Sequence, residues 1–228
     1  LEVQMGKKRK PIKTEDEIAE ELEEAGELDE ANASTIIFNG MPDTTTRFLS
    51  LYGDVTERRC AEIVNNLFAL RELYKAYDVP EEETEEEPVE EEPIEMLVST
   101  HGGNTVDMFA VYDTMNLVKQ DVDISTIGLG KVMSAGVLLL AAGTKGKRKV
   151  GAHCRLMLHG VSAGHVGEIH NLKNELEEAQ WMQDRYIECL SENTKMTKKQ
   201  ITRLFDKQIN TYFDAEDAID YGIADEII

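Results

Sequence analysis

Lysine and arginine are scarce in this chain. They number 24 against 45 aspartates and glutamates over 228 residues, for a net charge of −21. Phosphate binding needs a cationic surface, so nucleic acid is excluded as the main partner. Cysteine is scarce too. Cys60, Cys154 and Cys189 are far apart, odd in number and without CxxC spacing. That pattern fits reduced thiols in a cytosolic protein and argues against a disulfide or zinc framework. No apolar run approaches the ~18–20 residues of a membrane span; the longest, Val137–Ala142, is far shorter. The charged start lacks the apolar core of a signal peptide, and Met5, after Leu1–Gln4, reads as the native first residue. Neither an internal repeat nor a nucleotide-binding motif is evident. The length suffices for one large domain or two small ones with a real core.

What is present begins with an uneven charge. Lys7–Glu30 carries ten acids and five bases, and Glu81–Glu95 carries ten acids and no base. Outside these windows 25 acids face 19 bases, a net charge of −6. The acidity therefore belongs to two segments and not to the fold. Residues 1–34 are expected to form a charged, mobile N-terminal extension, and the globular domain to cover 35–228. The second window is expected to be a solvated insertion at 77–94, since dense like charge and two prolines forbid a packed core.

Strand and helix signals alternate through the rest. "STIIFNG", "RFLSLYG", "IEMLVST", "ISTIGLG" and "CRLMLH" read as strands. "TERRCAEIVNNLFALRELYKAY" and "TVDMFAVYDTMNLVK" read as helices, "SAGVLLLAAG" as a short buried helix, and "TKGKRK" as a turn. A long amphipathic helix is expected from Ile169, Leu172, Leu176, Ala179, Met182, Tyr186 and Leu190, spaced at three and four. "DAEDAIDYGIADEII" gives a capped helix, a glycine stop and a terminal strand. Such alternation favours βαβ units and a parallel sheet.

One serine stands out. Ser134 opens the short buried helix, near unpaired backbone N–H groups and the positive end of the helix dipole. Two readings fit: a helix N-cap, for which serine is preferred, or a nucleophile whose oxyanion is held by backbone N–H groups. A nucleophile needs a base. His159 ends "CRLMLH", where its ring projects from the carboxyl edge of the sheet, the edge at which α/β folds place chemistry. His153, His165 and His170 read as exposed. "HVGEIH" is poorly spaced for a metal site on one helical face, so no metal is expected.

Four stretches taken together, "GKVMSAGVLLLAAGTKGKRK", "CRLMLHG", "STHGGNTVDMFAVYDTM" and "DAEDAIDYGIADEII", resemble the Clp protease proteolytic subunit family, ClpP. Their order and spacing match from about Arg47 to Ile228. The resemblance implies an α/β, crotonase-like fold of repeated βαβ units with a protruding strand–helix handle, here at about 160–194. It implies a serine endopeptidase in which Ser134 is the nucleophile and His159 the general base. The N–H groups of Gly103 and Ala135 would then form the oxyanion hole. No cofactor is implied.

The chain departs from the family pattern at several points. His101 replaces a proline, Ala135 a methionine, and Glu95 and Leu97 stand where aromatic residues are usual. The family's triad aspartate falls on Asn210, with Asp206, four residues earlier, as the fallback if a helix carries both. The implied partners are further copies in two stacked heptameric rings, or a paralogue, together with an AAA+ Clp-type unfoldase and unfolded polypeptide substrates. The acidic insertion is expected to select a basic docking partner, or to exclude the common unfoldase by charge repulsion. Three other functions stay open: a weakly active or inactive scaffold subunit, suggested by Asn210; a ClpP-like capsid-maturation peptidase; and a crotonase-type acyl-CoA hydratase or isomerase, against which Ser134 and His159 argue.

Overall fold

Five strands run parallel in the order β1 (Phe48–Tyr52), β2 (Ile94–Thr100), β3 (Ile124–Met133), β4 (Arg148–Val150) and β7 (Glu226–Ile227). The computed structural model describes residues 47–77, 92–164, 166–207 and 209–228, within a unit spanning Thr44–Ile228. The expected N-terminal extension, the strand "STIIFNG" and nearly all of the acidic insertion lie outside the described residues.

Helices α1 (Glu57–Tyr77) and α2 (Thr105–Val118) make the crossovers between β1, β2 and β3. α1 buries Cys60, Ile63 and Leu67 at steps of three and four, the spacing of one helical face. α2 buries Met108, Val111, Tyr112, Met115 and Val118. Its start is fixed by Asn104, whose side chain accepts the N–H groups of Val106 and Asp107, a cap worth about 1 kcal/mol.

β3 forks. Its first half pairs with β4, through Thr126–Arg148 to Gly128–Val150. Its second half pairs with β5 (Arg155–Leu158), through Lys131–Arg155 to Met133–Met157. Against β2, the register slips between the pairs Val98–Gly128 and Thr100–Val132. The two surplus residues of β3 are taken up around Gly130, which has φ +67°. This irregularity turns the end of β3 away from β4 and aims Met133–Ser134 past the end of β2. β6 (Thr211–Phe213) then adds antiparallel to β5.

Three expectations change. The "TKGKRK" turn is shorter than expected, because Arg148 and Lys149 already belong to β4. "ISTIGLG" runs on to Met133, since the pairing with β5 extends it. The helix of the expected handle is present as α4 (Ile169–Asn193), but the segment before it forms no strand in its described residues. A strand needs a partner ladder, and Val161 instead donates its N–H to the Gln183 side chain at 3.1 Å.

α3 (Ala135–Ala141) is wholly buried against the sheet. Gly136 makes this possible: a Cβ there would stand 2.4 Å from Thr100 Cγ2. α4 is split along its length. Tyr186, Ile187 and Leu190 are buried, whereas Ile169, Leu176 and Trp181 are 71%, 70% and 55% exposed. The expected apolar stripe thus packs on its own domain only near its C-terminal end.

Candidate active site

β2, β3 and β5 are mutually parallel through β3, and their carboxyl ends open on one side. β2 leads into His101–Gly103, β3 into Ser134, and β5 into His159. These segments line a single cleft of about 200 Å³, which Ala135 and Tyr186 also border. The fold therefore brings Gly103 and His159, distant in sequence, to the neighbouring pair Ser134 and Ala135.

Ser134 sits at the sharp turn from β3 into α3, with φ 52° and ψ −122°. Among the described residues it is the only non-glycine with positive φ. This conformation suits glycine far better than serine, and such strain concentrates at functional sites. The hydroxyl makes no helix-capping hydrogen bond, so the N-cap reading is corrected. The backbone is held on both sides instead. The Ser134 N–H donates to the Met157 carbonyl at 2.7 Å, and the Ser134 carbonyl accepts from the Tyr186 hydroxyl at 2.7 Å.

The loop after β2 presses against this turn. Gly102 has φ +96°, and a Cβ there would stand 2.6 Å from Ser134 Cβ. The Gly102 N–H donates to Thr100 Oγ1 at 2.9 Å. Gly102 O accepts from the Val55 N–H, and Val55 O accepts from the Asn104 N–H, both at 2.9 Å. These bonds clamp the loop on either side of Gly103. Among the described residues no partner takes the N–H of Gly103 or that of Ala135. Two free donors beside a strained serine can hold an anionic oxygen.

His159 follows the last residue of β5 and is half-buried. No hydrogen bond joins it to Ser134 among the described residues, and such contacts are often long before substrate binds. Asn210 and Asp206 lie outside the cleft lining, and both are exposed. Asp206 ends α5 (Lys198–Asp206), with Asn210 beyond it in irregular chain. The expectation that a helix gives them a common face is therefore corrected. Asn210 immediately precedes β6, whose pairing with β5 runs Leu156–Phe213, Met157–Tyr212, Leu158–Thr211. The same register extended by one step would set Asn210 opposite His159.

Tyr186 and Gln183 were not singled out as site residues from sequence. Both come from α4: Tyr186 reaches the Ser134 carbonyl, and Gln183 holds Val161 on the wall beyond His159. Among the described residues no three or more His, Cys, Asp or Glu side chains gather as a metal site. No described helix is long and apolar enough to cross a membrane.

The family model for Clp protease matches residues 83–228. The chain is 35% identical over 133 residues to the ATP-dependent Clp protease proteolytic subunit 2 of Bifidobacterium longum (strain NCC 2705), covering 58% of this chain and 62% of that protein. It is 37% identical to proteolytic subunit 4 of Rhodococcus jostii (strain RHA1), over 58% of this chain and 66% of that protein. It is 36% identical to proteolytic subunit 1 of Streptomyces coelicolor (strain ATCC BAA-471 / A3(2) / M145), over 58% and 59% respectively. The match thus spans less than two thirds of the length of each of these relatives.

Proposed function

Because this chain belongs to the Clp protease family, we propose that it is a serine endopeptidase subunit of a compartmental, ATP-dependent protease of the cytoplasm. Ser134 Oγ attacks the peptide carbonyl, and His159 takes its proton as general base. The N–H groups of Gly103 and Ala135 hold the oxygen that becomes negative, each worth roughly 10²–10³ in rate. His159 then protonates the leaving amine, and a water, activated the same way, releases the acyl group. Asn210 orients His159 without adding the negative charge of an aspartate. The observation that carries this reading is the strained backbone of Ser134, set in one cleft with His159 and two unused N–H donors.

The parallel βαβ layout supports a crotonase-like fold. The exposed apolar side chains of α4 support assembly into stacked rings, with unfolded polypeptides supplied by an AAA+ unfoldase. The test is cleavage of a short fluorogenic peptide together with labelling by a fluorophosphonate. The parent should cleave and be labelled at Ser134, and Ser134→Ala should do neither. An alanine variant that cleaves as fast as the parent would overturn the assignment.

Asn210 supports a second reading, a weakly active scaffold subunit that assembles with an active paralogue. Under that reading the protein takes little fluorophosphonate alone yet co-purifies in rings with the paralogue.

A further inference from the structure

The mechanism above leaves Tyr186 unused. Its side chain is 3% exposed, its ring stacks on Phe205 with centroids 5.8 Å apart, and it borders the cleft. Its hydroxyl donates to the Ser134 carbonyl at 2.7 Å. Burial pushes the phenol pKa far up, so the hydroxyl stays a donor at any working pH. The same carbonyl accepts the N–H of Val137 at 2.9 Å. Both of its lone pairs are engaged.

That carbonyl shares a peptide plane with the Ala135 N–H. The bond is trans, so C=O and N–H point in opposite directions across a rigid plane. Whatever holds the oxygen on the α4 side holds the N–H on the other. The alternative is real. Half a turn of this plane takes Ser134 from ψ −122° to roughly +60°, into the left-handed region that serine tolerates better. The opposing cost is the helical φ of Ala135. Two arrangements therefore compete, and only one presents the Ala135 N–H to a substrate oxygen.

We propose that Tyr186 is a positioning residue: its hydroxyl, anchored in helix α4, holds the Ser134–Ala135 peptide in the orientation that makes the Ala135 N–H an oxyanion donor. This rests on the reading of Ser134 as the nucleophile. It adds a link between oxyanion-hole geometry and the helix whose other end is an exposed apolar face. Gln183, on the same helix, holds Val161 on the facing wall. A displacement of α4 thus acts on both sides of the cleft.

The test uses the assembled full-length protein and Tyr186→Phe, which keeps the ring stacked on Phe205 and removes only the hydroxyl. Loss of one neutral hydrogen bond predicts a kcat lower by about three- to tenfold, with KM within about twofold. Inhibition by a peptide boronate, whose tetrahedral adduct puts an oxygen in the hole, should weaken by the same factor. Tyr186→Met should lose as much as the phenylalanine variant. An unchanged kcat in Tyr186→Phe, or a loss matched by lower thermal stability and smaller assembly size, overturns the proposal. So does full activity in Tyr186→Met. A readout independent of activity is hydrogen exchange at the Val137 amide, which shares the Ser134 carbonyl. It should quicken severalfold in Tyr186→Phe, and no change there overturns the proposal even if the parent proves inactive. Failure of the parent to cleave peptide or take a fluorophosphonate, with exchange quickened as expected, overturns the peptidase reading and leaves the clamp standing.

Discussion

His159 directly follows Leu158 and Asn210 directly precedes Thr211, the last pair of the β5–β6 ladder. Carried one step further, that register would bring their Cα atoms to about 4.5–5.5 Å, within reach of a side-chain hydrogen bond. Under the proposed mechanism this is the histidine-orienting position, and the sequence fills it with an amide.

Asn210→Asp should therefore raise peptide hydrolysis. An amide orients an imidazole but does not stabilise the imidazolium that forms during attack, and in a serine-protease triad the reverse change costs about 10⁴ in kcat. A gain of at least tenfold in kcat is expected, measured with a fluorogenic peptide. Asp206→Ala should leave the rate within about twofold, because Asp206 closes α5 at the surface. A flat response in Asn210→Asp with a collapse in Asp206→Ala would move the orienting role to Asp206.

Ser134→Gly should abolish hydrolysis and raise the melting temperature. The serine pays for φ 52° with Cβ crowding that glycine lacks. Strain of this kind costs about 1–3 kcal/mol, partly offset by the greater freedom of glycine in the unfolded chain, for a net gain of about 1 kcal/mol. Ser134→Ala should melt where the parent does, since no capping bond is lost. Scanning calorimetry on the two variants checks this; a glycine variant less stable than the alanine variant would refute the strain argument.

Ile169→Glu combined with Leu176→Glu should reduce the size of the assembly in light scattering. Both side chains are about 70% exposed in the single chain, so charging them leaves the domain's own packing intact. Covering each in an assembly would contribute about 1.5–3 kcal/mol. Parent-like size in the double variant would place the assembly surface elsewhere.

Arg148→Met should destabilise the domain by about 3–5 kcal/mol. The buried guanidinium donates to both Asp225 carboxylate oxygens, at 2.8 and 2.6 Å. It also donates to the carbonyls of Ala141 and Asn193, at 3.1 and 2.6 Å. It thus ties the ends of α3 and α4 to the approach to β7. The Arg148 hydrogen bond chiefly holds the Asp225 carboxyl below its ordinary 3.8. A depressed carboxylate pKa gives stability that is complete above the unfolded value and lost as pH falls through the folded one. The parent should therefore lose more stability than Arg148→Met on acidification below about pH 4. Parallel acid limbs in urea titrations would contradict the pairing.

Much of the layout was readable before the structure, for reasons particular residues show. β2 and α1 carry burial at the spacings of strand and helix. β4 and β6 do not. Each has three residues, Arg148–Val150 and Thr211–Phe213, and their pairing is imposed by β3 and β5, not by local pattern. α5 buries only Ile201 and Phe205, too little to signal its end at Asp206. In the site, Ser134 and His159 were visible because each stands at the end of an apolar run. Tyr186 was not. Spacing put it on an apolar stripe, but nothing local says that its hydroxyl meets a carbonyl 52 residues earlier in the chain.

The slip in β3 works as a length adjustment. Between Val98–Gly128 and Thr100–Val132, β2 advances two residues while β3 advances four. The surplus is absorbed at Leu129–Lys131, where Gly130 leaves the extended conformation at φ +67°, and Val132 beyond it is again paired and fully buried. A longer or shorter spacer would change which residue of β3 meets Thr100, and with it how far past β2 the chain carries the serine. The reach of Ser134 is thus decided several residues before the turn that displays it.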